Sequence, residues 1–180
     1  KSYITGPLNE TSAYSLSANV HQSDGHTDNV TTGSDMNNRD RFGFRGELLF
    51  QPSDDLSIRL TADYDEYDET CCAVGSTSYG VGNQIQSLMG GRIIPNNVFT
   101  QKVFYDFDPE TEGDNSGLSM HIKRDFEGMT LESISAFRNT FSYSVQDVDF
   151  DGGSLVNPSP ISNDRDAISQ EFRLYSNDNE

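Results

Sequence analysis

The chain has no tryptophan, only two cysteines, and 12 Lys+Arg against 29 Asp+Glu in 180 residues. Each shortage excludes something. With a net charge of −17 and no cluster of Lys or Arg, nothing can neutralise phosphates, which excludes a nucleic-acid partner and docking on anionic lipid through a basic patch. No apolar run reaches the roughly 18 residues of a membrane helix, and the opening residues do not read as a signal peptide. Membrane strands are untouched by that test, because their signal per segment is far weaker. The cysteines, Cys71 and Cys72, are adjacent and fit neither a C-x-x-C redox motif nor a zinc spacing. A disulfide between them, pairing with cysteines elsewhere, or two thiols all stay open. Nucleophile elbow, P-loop, dinucleotide fingerprint and metalloprotease helix are missing too. No Ser, His and acid set assembles, so no catalytic residue is assigned and the chain is not read as an enzyme.

What is present needs a place to go. Only 33% of residues are hydrophobic and the mean hydropathy is −0.64, which leans toward a solvated chain. Eleven Phe and eight Tyr argue for a folded one. The length suits one domain over residues 1–180.

Strands point successive side chains to opposite faces, so a half-apolar strand reads with period two. In residues 42–50, Phe42, Phe44, Gly46, Leu48 and Phe50 share one face while Gly43, Arg45, Glu47 and Leu49 share the other, Leu49 being the exception. After "PSDD" the pattern resumes, with Leu56, Ile58, Leu60, Ala62 and Tyr64 opposite Ser57, Arg59, Thr61 and Asp63. Residues 12–22 and 116–126 repeat it; 130–143 and 167–176 do so less cleanly, and "KSYIT" reads as the end of a seventh strand. Helix signals are poor, with room for one short turn at 82–89.

The connections sort by length. "GPLNE", "PSDD" and "FEGM" are short, whereas 23–38, 66–113 and 144–166 are long and rich in Gly, Asn and Asp. In an up-and-down meander every short link then lies at one end and every long link at the other. Transmembrane β-barrels segregate their loops this way, and the strand lengths suit a tilted crossing. Arg, Glu, Asp, Lys and His on the inward face suit a wet lumen better than a dry core. Rings near strand ends (Phe50, Tyr64, Tyr67, Phe126, Phe141 and Tyr143) suit interface girdles. The predicted fold is therefore all-β: an antiparallel up-and-down meander forming a section of a large transmembrane β-barrel with long extracellular loops. Six or seven strands are fewer than the eight such a barrel needs to close, so the residues read as an internal section of a longer one.

Acids at alternate positions mark "DVDFDGG", where Asp147, Asp149 and Asp151 precede Gly152. Hard cations such as calcium are wrapped by oxygens in that order, but the twelfth position is Pro158 instead of a bidentate Glu. A solvated acidic loop is the competing reading. "GSTSYGVG" lacks the spacing and the lysine for phosphate. His21, His26 and His121 show no ligand spacing, and "NET" and "NVT" are glycosylation sequons only in a eukaryotic secreted chain.

Four phrases in order, "ITGPL" (4–8), "RDRFGFRGELLFQPSDDLSIRLTADYDEYDE" (39–69), "LESISAFRN" (131–139) and "SQEFRL" (169–174), resemble the barrel of TonB-dependent outer-membrane receptors of Gram-negative bacteria. The resemblance covers most strands but not the long loops. It implies a 22-stranded barrel with a plug domain and uptake of siderophores or other large solutes with energy passed through TonB. It also implies outer-membrane lipid, the rest of the barrel and an extracellular solute as partners. No plug, TonB box or barrel-closing strand can be matched, so gating and coupling carry over to no residue here. Strands 12–22, 56–68 and 130–143 would run outward and 39–51, 116–126 and 167–176 back. Candidate solute contacts are lumen-facing Arg41, Arg45, Arg59 and His121 with loop residues 70–105; the competing reading is ordinary salt bridges of these arginines with Glu47 and Asp63. The alternative to the whole picture is a soluble or secreted β-sandwich binding module, calcium-dependent through Asp147, Asp149 and Asp151.

Overall fold

Extended segments leave backbone N–H and C=O groups at their edges, and the chain satisfies them by pairing each long strand with the next. The computed structural model describes residues 1–74, 87–88, 98–150, 152–154, 156, 158 and 160–177. Ten strands follow in order: β1 (Ser2–Asn9), β2 (Ser12–Ser23), β3 (Thr27–Asn29), β4 (Ser34–Met36), β5 (Arg39–Ser53), β6 (Leu56–Glu69), β7 (Lys102–Val103), β8 (Glu110–Phe126), β9 (Met129–Val145) and β10 (Ile161–Ser176). The long ones form one antiparallel sheet in the order β1-β2-β5-β6-β8-β9-β10, and the short ones a separate three-stranded sheet, β4-β3-β7. Seven wall strands fit the sequence reading, with "KSYIT" belonging to a complete first strand.

The short links are shorter than expected. Gly6, Pro7, Leu8 and Asn9 continue β1, and only Glu10 and Thr11 turn, with the Asn9 carboxamide oxygen accepting from Thr11 N at 2.9 Å. Pro7 lies on an outermost strand of this sheet, where a missing N–H costs the ladder nothing on its open side. In "PSDD" only Asp54 and Asp55 turn, and the register slips between Phe50 and Ser53, where Pro52 cannot donate. At the third turn Gly128 adopts φ 79°, a left-handed conformation that favours glycine.

Register aligns the apolar positions into rows across the wall. One row runs Ile4, Leu16, Gly46, Ala62, Leu118, Phe137, Ile168. The rows do not end together. Above this row β10 carries Asp166 and Asp164 and β8 carries Ser116 and Asp114, whereas β5 carries Phe44 and Phe42 and β2 carries Ala18 and Val20. At the other margin β9 and β10 end on the apolar pair Leu131 and Leu174, below Ser135, Ser133 and Gln170 on the same face, while on β2 the lowest ring is Tyr14, below which stands Ser12. The apolar band thus climbs by about two rows from β10 to β2. A band level with a membrane does this only when strands tilt, as barrel strands do by about 35–45°.

No second large sheet covers that face among the described residues, as the alternative sandwich would require. Leu48, Leu60, Leu118, Phe137 and Ile168 all stand exposed. Of the rings expected at the interfaces, Tyr67 is on the other face, cross-strand from Arg41 and Gly113. Its odd position on β6 places it there.

Candidate functional site

The inner face holds all four lumen candidates, at three levels. Arg59 and His121 are cross-strand partners near the short-turn end; Arg45 faces Asp63 farther along; Arg41 faces Tyr67 near the long-loop end. Along β6, Tyr67 is eight residues from Arg59, roughly 26 Å at about 3.3 Å per residue. They do not converge on one pocket.

Most are already engaged. The Arg41 guanidinium donates through Nε and Nη2 to Glu69, the latter at 3.0 Å, and Arg39 donates to the same carboxylate at 3.3 Å. Glu69 is 4% exposed, so a buried carboxylate is neutralised by two half-open cations. Arg45 donates to Glu47 at 2.7 Å and its Nη1 lies 4.0 Å from Asp63. Arg138 completes the group from two strands away, donating to Asp63 at 2.9 and 3.1 Å. It reaches β6 by crossing Gly117 on β8, where a Cβ would sit 2.5 Å from the guanidinium. His121 Nε2 is 3.6 Å from Glu132, which also accepts from Tyr175 at 3.0 Å. Arg59 is exposed and takes part in none of the ion pairs among the described residues. Arg138, Glu69 and Glu132 were missed from sequence. Their inward parity was readable, but their partners depend on strand order.

At the long-loop end, the three connections that read as long, polar loops interlock. The β3–β4 hairpin pairs on its other side with β7, in parallel, through Asp28 and Lys102, and Asn29 and Val103. Met36, Val103 and Tyr105, each at most 1% exposed, form the core with Ala73 against it. Polar groups lock the rim. Asp108 accepts from Asn29 Nδ2 (2.9 Å), Thr32 Oγ1 (2.7 Å) and Ser34 Oγ (2.5 Å). Burial pushes its carboxyl up, but the three donors outweigh burial and hold it below the ordinary carboxylate range. Asn37, at φ 65°, bonds Ala73 N at 3.0 Å and Thr27 Oγ1 at 3.0 Å. Tyr105 Oη accepts from Val74 N at 2.9 Å, and burial raises the phenol to about 12.

Cys71 and Cys72 are joined to each other by a disulfide. The Cys71 carbonyl accepts from Gln146 Nε2 at 2.8 Å and from Thr111 Oγ1 at 3.1 Å, tying the end of β6 to β8 and to the link after β9. Of the sequence-predicted contacts at 70–105, residues 75–86 and 89–97 lie outside the described residues, as does most of the short helical turn expected at 82–89, where Ser87 and Leu88 are helical.

Of the three acids read as a calcium motif, Asp147 and Asp149 come together and Asp151 lies outside the described residues. Asp147 is 1% exposed, and its Oδ1 accepts from the backbone N–H of Asp149 (3.2 Å) and Phe150 (2.8 Å). Burial chiefly, then a hydrogen bond with the Asp149 carboxyl and the charges of Asp149 and Asp106, raises Asp147 to about 7 against the opposing Phe150 N–H. No trio of His, Cys, Asp or Glu gathers to hold a metal among the described residues.

The chain is thus a broad antiparallel wall with a tilted apolar band outside, paired charges inside and a folded unit at one rim: an open section of a large β-barrel. No protein-family model and no curated protein matches it. Solved structures do. It is similar to the ferric yersiniabactin uptake receptor FyuA from Yersinia pestis, with a TM-score of 0.72 over 99% of this chain and 25% of that one at 17% identity. It is also similar to the closed form of the ferric-catecholate import receptor Fiu from E. coli K12, with a TM-score of 0.59 over 97% of this chain and 26% of that one at 11% identity. At such identities the likeness is one of fold, and the chain spans about a quarter of the length of each receptor.

Proposed function

We propose that the chain builds part of the barrel wall and outer vestibule of a TonB-dependent importer of siderophores or other large nutrients in a bacterial outer membrane. The observation that carries this reading is the apolar band, which climbs across the register as a membrane belt must when strands tilt. Lipid covers the even-numbered face of the β5–β6 hairpin, further barrel strands pair with β1 and β10, and a plug driven by TonB fills the lumen. The chain makes and breaks no bonds.

Within the wall, Arg41 and Arg45 are architectural, because Glu69, Glu47 and Asp63 consume their charge. Arg59 keeps its charge for a visitor and has His121 beside it, so these two are the assigned contacts for an anionic solute or for an acidic plug residue. The folded unit at the rim is the outer surface that meets the solute first.

The test is topological. An epitope inserted between Ser87 and Leu88 should be stained by antibody on intact cells, whereas one between Asp54 and Asp55 should be stained only after the outer membrane is opened. The protein should fractionate with the outer membrane and need detergent to stay monomeric. A chain that is monomeric and folded in plain buffer would sink the membrane reading. Loss of iron-chelate uptake in cells lacking the protein would separate siderophore from other cargo.

A further inference from the structure

We propose that the turn after β9 binds a calcium-like divalent cation through the carboxylates of Asp147 and Asp149, pinning this turn to the segment that precedes β8. The site stands independently of the uptake reading.

The first reason is a buried carboxylate oxygen that faces a second carboxyl and receives no donor among the described residues. Asp147 is 1% exposed, and the two backbone N–H groups on Oδ1 fix its carboxylate. Its Oδ2 is buried without a hydrogen-bond donor among the described residues. Such an oxygen costs free energy until a proton or a cation satisfies it. The second reason is the sign of its surroundings. Phe150 at φ 58° folds the chain back, the Asp149 carboxyl lies within hydrogen-bond reach of Asp147, and Asp106 adds negative charge from the strand-entry segment. Residues 103–110 and 146–160 contain no Lys, Arg or His, and the nearest base in sequence, Lys102, leans toward Asp28 at 3.9 Å. Neither segment supplies a cation of its own.

The donor chemistry selects the ion. Carboxylate and carbonyl oxygens without imidazole or thiolate suit hard cations, and the only cysteines are spent on each other. Asn, Ser and backbone oxygens and water can complete the shell that calcium takes. With two carboxylates as the charged ligands, affinity should fall in the range of extracellular modules, about 10⁻⁴–10⁻³ M. The Tyr105 ring lies 5.9 Å from that of Phe150, tilted against it, close enough to serve as the reporter.

Terbium ion is the probe, titrated into the detergent-solubilised protein with excitation of tyrosine. The expected result is sensitised terbium luminescence that millimolar calcium displaces and equal ionic strength of sodium does not. Asp147→Asn and Asp149→Asn should each weaken it by about tenfold or more, because ligand charge sets affinity, while Asp54→Asn in the short turn leaves it unchanged. Far-UV circular dichroism establishes that each variant is folded. The proposal is overturned if the parent gives no calcium-displaced signal. It is equally overturned if the folded Asp149→Asn variant binds as the parent does, or if Asp54→Asn lowers the signal as much, which would mark diffuse attraction to an acidic chain.

Discussion

The wall and the rim unit satisfy the same requirement in opposite ways. The wall has a continuous backbone ladder and almost no protein core: its large apolar side chains point outward and stay exposed, while its inner carboxylates, partly or wholly covered, are met by half-open arginines. The rim unit has scarcely any ladder, with strands of two or three residues, yet holds the best-buried large apolar side chains described, Met36, Val103 and Tyr105. The wall therefore depends on an environment that accepts its apolar face, and the rim unit depends on its own packing. Perturbations should separate the two.

The largest effect is expected from Tyr105→Ala, which empties the rim core and should cost about 3–5 kcal/mol. Hydrogen exchange should accelerate at amides of 27–36 and 102–105 and stay slow in the β5–β6 ladder; equal acceleration in both would dissolve the distinction. Next comes the neighbouring pair Leu118→Arg and Ser119→Arg. On the membrane face the arginine should cost about 2–4 kcal/mol, and one residue later, facing the lumen, close to nothing. Urea unfolding in lipid vesicles measures both, and equal costs would mean the band is not lipid-facing.

A third handle is acid. Asp108→Asn should destabilise the rim unit by about 2 kcal/mol at neutral pH, since three donors lose a charged acceptor. Because the folded-state carboxyl lies below its ordinary value of 3.8, its stabilisation is complete above that value and fades as pH falls through the lower folded-state value. The gap between parent and variant should close in that acid range, read by exchange of the 27–36 amides. The smallest effect belongs to Arg138→Gln, about 0–1 kcal/mol in vesicle unfolding, because the Arg138–Asp63 pair is open to solvent on the arginine side. A loss well above that would mean the lumen charges act as a buried network.

The wall was largely legible from sequence because period two is a local property. Phe42 through Tyr64 declare their face with no knowledge of neighbours, and Asp54–Asp55 marks a turn in any context. The site was less legible. Arg45 could be assigned to the lumen, and its pairing with Glu47 and Asp63 could be anticipated within the hairpin. That Arg138 would cross Gly117 to the same Asp63 required the order β6-β8-β9 and its register. The rim unit was invisible, since residues 23–38 and 98–109 show no alternation long enough to register, and their core forms only when distant segments meet.

By itself the sequence determined which side chains share a face, where the short turns fall and which end carries the long connections, because these follow from backbone geometry over a few residues. The tertiary structure was needed to show that Arg41 is neutralised while Arg59 has no ion pair among the described residues, and that Asn29, Ser34 and Asp108 close one network. The physical reason is that cross-strand and interloop contacts are fixed by register and chain closure over dozens of residues, to which no local pattern is sensitive.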